Sequence, residues 1–496
     1  MKIFNKKIAV LAVLLVLITA QSCKKDYLET KPTQQLSAGT VFSSLKGAQG
    51  AVQGIHRMLY LYDAQGTFGL ASLNINMDML GEDLVMHNAG NGWYNAAYRW
   101  TEFRNVASGD LNYYYFYLYR IIRNANEVID GITQETADFK QLKAQAHYYR
   151  AFCHYMLVQL YGVRYDTTPG AANSGLGVVL SLKNDFAKKP RNTVAEVYAS
   201  INSDLTIAAT DIAGYTRKAK DEININVVKA LQARVALTTG KWAEAVTLAN
   251  DAMVGFPLMS RADYEAGFNN TSNSEWIWGS TTIEEQIDNY FGSFFAYMSL
   301  DLSSTNIRQN PKKINADLYN AFPNTDVRLK NFASTATEFA PLVPSNFTTA
   351  RYQSKKFRAA GLNFGAGGLV YMRSAEMYLI KAEAQARNND EPGARATLFT
   401  LVNARNPNYV LSTKTGAALI DEILLNRRLE LWGEGRRFLD LKRLDAPLDR
   451  TLTGGHTATL TGNVLNVPAG DKRWQFLIPR AEIDATGADI MKQNEL

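Results

Sequence analysis

Cysteine is almost absent from this 496-residue chain: only Cys23 and Cys153 occur, so no disulfide framework can hold the fold. Histidine is scarce too, with five in all. His147 and His154 lie seven apart on roughly one helical face, but no further Cys or His completes a zinc spacing, and no metal is expected. Beyond the N-terminus no eighteen apolar residues run together and no five or six basic residues follow one another, which argues against a spanning helix, a polybasic tail and nucleic-acid binding. Nucleophile-elbow, zinc-helix and kinase motifs are missing. The glycine-rich stretch 361–368 lacks the lysine of a phosphate loop, so it reads as a flexible loop and no cofactor is expected.

Aromatic side chains are what the chain has in quantity: 25 Tyr, 22 Phe and 7 Trp, against an ordinary 46% hydrophobic and 20% charged content. At the start, Lys2, Lys6 and Lys7 precede a run over residues 8–20 that is apolar but for Thr19, too short to span a bilayer and of the right length for a signal peptide, residues 1–22. Its removal takes the formal net charge from +6 to +3. Ala20, Gln21, Ser22 and Cys23 permit either ordinary cleavage or lipid attachment at Cys23. An exported chain with no disulfide partner for Cys23 favours the lipid, with residues 23–39 as its tether.

The body reads as mainly α. Leu45, Ala48, Val52, Ile55, Leu59 and Tyr62 recur at three and four and predict a first helix. Residues 66–109 show no long period and read as a loop. Helical period returns over 110–132 and along the stripe Phe139, Leu142, Ala146, Tyr149, Cys153, Met156 and Leu160, which makes Cys153 a small core residue. Thr193-Val-Ala-Glu196 is a capping box. Ala233, Ala236, Gly240, Trp242, Ala245, Ala252 and Pro257 follow the spacing of a tetratricopeptide repeat, and a degenerate second copy runs from Ala375 through Ala394, Leu398 and Leu401. Between 259 and 370 the period fails. The expected division is thus a helical scaffold over 40–258, a loop-rich excursion over 259–370 and a second scaffold segment over 371–496.

Near the C-terminus Leu425, Leu429 and Trp432 fall on one helical face beside Arg427, Glu430 and Glu434, and Gly433 and Gly435 end the helix. The following 436–443 alternates charged with apolar groups, so its charges should be paired at the edge of a core; a structural ion-pair network outweighs a catalytic use of Glu430, Glu434 and Asp440. Arg427, Arg428, Glu430, Leu431, Glu434, Gly435, Arg437, Asp440, Leu441, Lys442 and Arg443 match the signature of the SusD/RagB family of surface lipoproteins, E-R-R-x-E-L-x-x-E-G-x-R-x-x-D-L-K-R, with Asn426 in place of its first Glu. The segment after Cys23, the helices around Tyr148 and Glu376, and the stretch 477–483 also resemble that family. The resemblance implies a tetratricopeptide-type helical scaffold with long loop excursions, attachment to the outer membrane through Cys23 at the cell surface, and delivery of a nutrient, typically an oligosaccharide, to a SusC-type TonB-dependent transporter.

Sugar rings offer flat C–H faces to aromatic planes and hydroxyls to amides and carboxylates. Two loop stretches mix those groups: Asn88, Asn91, Trp93 and Tyr94, and Asp288, Asn289, Tyr290 and Phe291. Trp276 and Trp278, alternate residues of an expected strand, should point the same way and read as core packing. A secreted all-helical glycoside hydrolase, and a tetratricopeptide adaptor that binds only protein, are the competing functions. A convergent carboxylate pair near Trp93 or Tyr290 would favour the hydrolase.

Overall fold

The computed structural model describes residues 38–284, 287, 292–361 and 364–496. Helices dominate it, and their starts are written in side chains. Thr193 Oγ1 accepts from Glu196 N at 3.2 Å while Glu196 Oε2 accepts from Thr193 N at 2.8 Å, closing the capping box, a device worth about 1 kcal/mol. Ser44, Ser108 and Asn224 cap three further helices through their side-chain oxygens.

The principal elements are α1 Leu45–Met58, α2 Gly69–Met79, β1 Leu84–Met86, α3 Gly109–Gly131, α4 Ala137–Tyr161, α5 Val194–Asp211, α6 Ile225–Thr238, α7 Trp242–Ala252, β2 Trp276–Thr282, β3 Lys312–Ile314, β4 Gly367–Arg373, α8 Ser374–Arg387, α9 Glu391–Arg405, α10 Gly416–Leu431 and α11 Arg437–Arg443. Helices pack in chain order, α3 on α4, α4 on α5, α6 on α7 and α8 on α9, and α7 also packs on α8, and α8 on α10. The two repeat-like pairs expected from the alanine spacing are α6–α7 and α8–α9. Ala233, Ala236, Ala245 and Ala252 are buried where the first pair meets, and Ala375, Ala382, Ala394, Leu398 and Leu401 share a core cluster in the second. Cys153 is fully buried and burial pushes its thiol well up.

Three expectations are corrected. The first helix ends at Met58, so Tyr62 stands in the loop beyond it. Within the stretch read as loop, α2 is a helix with every residue buried; a helix covered on all sides has no polar face, and so no period. Trp276 and Trp278 do not share a face. β2 pairs antiparallel with β4, but its register slips twice between Trp276 and Gly279, and Trp276 Cε3 lies 3.2 Å from where a Cβ on Gly279 would stand. The bulge puts Trp276 with position 279, stacked on Phe268, while Trp278 packs among Tyr148, Phe152 and Tyr371. Both indoles are core residues.

The β2–β4 ladder hands the chain directly to α8. Beneath it lies the ion network of the C-terminal signature. Glu430, fully buried near the end of α10, accepts from Arg373 at 2.6 Å and Arg405 at 3.1 Å, and pairs with Arg328 at 3.3 Å. Glu275 takes Arg373 and Arg405, each at 2.7 Å; Glu434 takes Arg373 at 2.7 Å and Lys356 at 2.6 Å; Asp326 takes Arg328 at 2.7 Å. Four cations thus meet four carboxylates, which is how charge survives burial. Lys356 Nζ also donates to the carbonyls of Glu430 and Trp432 at 2.9 and 2.8 Å, satisfying acceptors that the end of α10 leaves open. Trp432 has already left the helix, and Gly433 and Gly435, at φ 78° and 73°, turn the chain. The alternating stretch after them is α11, where Asp440 joins Arg427 at 2.7 Å and Arg443 at 2.8 Å.

Candidate functional site

The 87–94 loop leaves β1 where that strand pairs with β3, Leu84 opposite Ile314 and Met86 opposite Lys312. Asn310, two residues before β3, pins the exit: its Oδ1 accepts from His87 N at 3.0 Å and Asn88 N at 3.4 Å. Asn88 Oδ1 then accepts from Gly90 N at 2.7 Å, and Ala89 O accepts from Gly92 N at 2.9 Å and Asn95 Nδ2 at 3.1 Å. The loop is therefore cross-braced within itself.

Gly90, Gly92 and Tyr94 all adopt positive φ, 51°, 90° and 63°. For a tyrosine that conformation costs roughly 1–2 kcal/mol, so something must hold it. Tyr94 is buried, its ring is edge-on to Tyr297 at 5.0 Å, and its hydroxyl donates to Gly66 O at 3.3 Å. Burial, then the neighbouring Tyr114 and Tyr297, push that hydroxyl well above the ordinary tyrosine range. Tyr94 is thus the anchor of the loop, its ring turned inward rather than presented on the surface. The reversal at Tyr94 turns Trp93 outward. One edge of its indole lies over Gly66, where a Cβ would stand 3.3 Å from Cε3, and the side chain keeps 36% exposure. Asn91 beside it is exposed, and Asn88 is half-buried with its carbonyl spent on the brace.

Of the seven tryptophans, Trp100, Trp276, Trp278, Trp432 and Trp474 are buried, and Trp242 is half-buried with the Arg387 guanidinium 5.4 Å over its ring. Trp93 is the indole left open, and it stands on a braced loop.

Asp288, Tyr290 and Phe291 of the second stretch lie outside the described residues, as does Cys23. Their C-terminal flank is described. Gly292 abuts the ring of Tyr62, Phe294 is edge-on to Phe357 at 4.8 Å, and Tyr297 packs on both Tyr94 and Phe68, the latter at 5.7 Å. That flank is therefore bound to the anchor of the 87–94 loop. Sequence reading missed Asn310 as the pin of the 87–94 loop; a contact across 223 positions has no local signal.

The carboxylates that could be mistaken for catalytic ones are committed. Glu82 and Asp83 pair with Arg437 and Arg428. Burial alone would raise Glu430, but the three guanidiniums around it prevail and hold it far below the usual carboxylate range. His147 is bound to Asp204 at 2.7 Å. Among the described residues no group of three His, Cys, Asp or Glu side chains could hold a metal ion, and no helix is long and apolar enough to cross a membrane.

Two family models match the chain, one described as starch-binding associating with outer membrane over residues 26–237, the other as the SusD family over residues 259–494. Among solved structures, a SusD-like carbohydrate-binding protein from Bacteroides vulgatus superposes with a TM-score of 0.76 at 24% identity, covering 89% of this chain and 96% of that one. A SusD superfamily protein from Bacteroides thetaiotaomicron gives 0.76 at 24% identity over 91% and 100%. Surface glycan-binding protein A from Bacteroides uniformis gives 0.68 at 19% over 91% and 99%. No curated protein sequence matches.

Proposed function

The chain belongs to the SusD/RagB family, whose members are carbohydrate-binding and associated with the outer membrane, and from that membership we propose that it is a non-enzymatic capture protein for oligosaccharide. It is held at the cell surface by a lipid on Cys23 and passes its ligand to a SusC-type TonB-dependent barrel transporter. The observation that carries the binding step is Trp93, the open indole on a loop braced by Asn310, Asn88 and Tyr94, with the amide of Asn91 beside it. Such a platform stacks on a sugar face while amides meet the hydroxyls. Asp288, Tyr290 and Phe291 complete the site from the second loop, whose flank packs on Tyr94 through Tyr297. The stacked helices supply the frame and the transporter-facing surface. Because binder and barrel share one assembly, high effective concentration lets a weak site suffice.

Calorimetry of the mature chain against a panel of oligosaccharides, with a reducing-end assay on the same samples, tests this reading. Binding without new reducing ends is the expected result. New reducing ends would replace it with the hydrolase, and silence in both would remove oligosaccharide as the ligand.

A further inference from the structure

The loop between α4 and α5 carries the most exposed large apolar side chain of the described residues. Phe186 is 103% exposed, Leu182 is 40% exposed, and Lys183, Lys188 and Lys189 surround them. The only carboxylate among residues 182–189 is Asp185, which pairs with Lys189 at 2.7 Å and caps Ala187 N at 3.3 Å. A freely solvated loop needs no fastening, yet this one is fastened from below. Asn184 Nδ2 donates to Arg123 O at 2.9 Å and Asn126 Nδ2 to Ser181 O at 3.1 Å. Arg150, buried and bound to Asp204 at 2.7 Å, donates to Leu182 O at 3.1 Å and to Asn126 Oδ1 at 2.9 Å. A buried polar network inside the helical stack is thus used to hold an apolar tip in water.

A second observation sets the loop beside the point where the described chain enters the fold. The described chain begins with a short helix, Ala38–Phe42, whose Phe42 packs on Gly131 at the C-terminal end of α3 and whose last carbonyl accepts from Gln134 Nε2 at 3.0 Å. Arg123 and Asn126, which fasten the loop, lie only about 8–12 Å back along the same helix. The tether from Cys23 therefore enters the fold at the end of α3 that also holds the Phe186 loop. Fully extended, the fifteen residues from Cys23 to Ala38 reach about 50 Å. That is less than the diameter, roughly 60 Å, of a compact domain of this size, so this end cannot be the pole farthest from the anchoring surface.

We propose that residues 182–189 form a membrane-contact loop: Leu182 and Phe186 enter the lipid surface to which the chain is anchored, and Lys183 and Lys188 meet its anionic headgroups. An aromatic tip ringed by lysines suits such a surface, where apolar burial and headgroup attraction add. The inference rests on the anchoring reading above, and the two are separable.

The test uses the mature chain carrying Cys23→Ser, which has no acyl group, sedimented with vesicles of phosphatidylglycerol and phosphatidylcholine or of phosphatidylcholine alone. Binding to the anionic vesicles is expected, weakening with salt, and Phe186→Ser should lower the partition about tenfold. Lys183→Ala with Lys188→Ala should lower it on anionic vesicles only. Val410→Ser with Leu411→Ser, an exposed apolar pair elsewhere, should leave it unchanged. No binding, or equal binding by wild type and Phe186→Ser, overturns the proposal. A photo-crosslinking phenylalanine at position 186 in whole cells should yield a lipid adduct; a discrete protein adduct would overturn the proposal in favour of a protein partner. Radiolabelled palmitate incorporation at Cys23 reads the anchor by itself, so a labelled Cys23 with no vesicle binding would sink the loop and spare the anchor.

Discussion

Arg373 Nη1 stands 2.6 Å from Glu430 Oε1 with both side chains sealed from water, joining the end of β4 to the last turn of α10. The signature stretch is in this sense a structural device: Glu430 ties α10 to Arg328, Arg373 and Arg405. Glu430→Gln should therefore destabilise the fold by about 3–5 kcal/mol, since three guanidiniums lose a shared counter-charge. Denaturant unfolding measures this. A loss under about 1 kcal/mol would show the network to be dispensable.

Buried carboxylates held by guanidiniums also set the acid limit. Burial works to raise Glu376, but Arg234 and Arg436 outweigh it and hold the carboxyl at about 2, and guanidiniums hold the equally buried Glu430 and Asp440 lower still. A carboxyl depressed in the folded state stabilises above its unfolded pKa, and that contribution is lost as pH falls through the folded one. Stability should accordingly drop between about pH 4.5 and pH 2, followed by circular dichroism. A flat profile there would contradict the pairing.

Asp78 behaves in the opposite sense. Burial raises it to about 8, against the hydrogen bond that Gly435 N donates to its Oδ2 at 2.8 Å. A raised carboxyl contributes most below its unfolded pKa and loses that contribution as pH climbs, here between about pH 4 and pH 8. Asp78→Asn keeps the acceptor for Gly435 and removes the charge, so its unfolding free energy should vary less across that window than the wild type's. Parallel slopes would contradict the assignment.

Much of this fold is legible in the sequence because its helices are two-faced. Spacings of three and four locate α3 and α4, the alanine pattern locates α6 with α7 and α8 with α9, and Thr193 with Glu196 marks the start of α5. Where a helix is buried all round, as α2 is, no period remains to be read. The bulge that separates Trp276 from Trp278 is likewise invisible, because it is made by pairing with a strand some ninety residues on. At the candidate site, composition identified the 87–94 loop but could not tell Trp93 from Tyr94. The positive φ of Tyr94, which sends one ring in and the other out, is a property of the folded loop.

That division gives two tryptophans different consequences. Trp278→Ala removes a fully buried ring whose Nε1 donates to Asp221 O at 3.1 Å, and should cost about 3–5 kcal/mol of stability. Trp93→Ala should change stability by no more than about 0.5 kcal/mol. Thermal unfolding of the two variants distinguishes them, and equal losses would show that Trp93 serves the core.

The most direct test of the account is the calorimetric affinity of wild type and Trp93→Ala for whichever oligosaccharide of the panel binds. A drop of about tenfold or more, with stability unchanged, is the predicted result for a stacking platform. An unchanged affinity would contradict it and place the site away from the 87–94 loop.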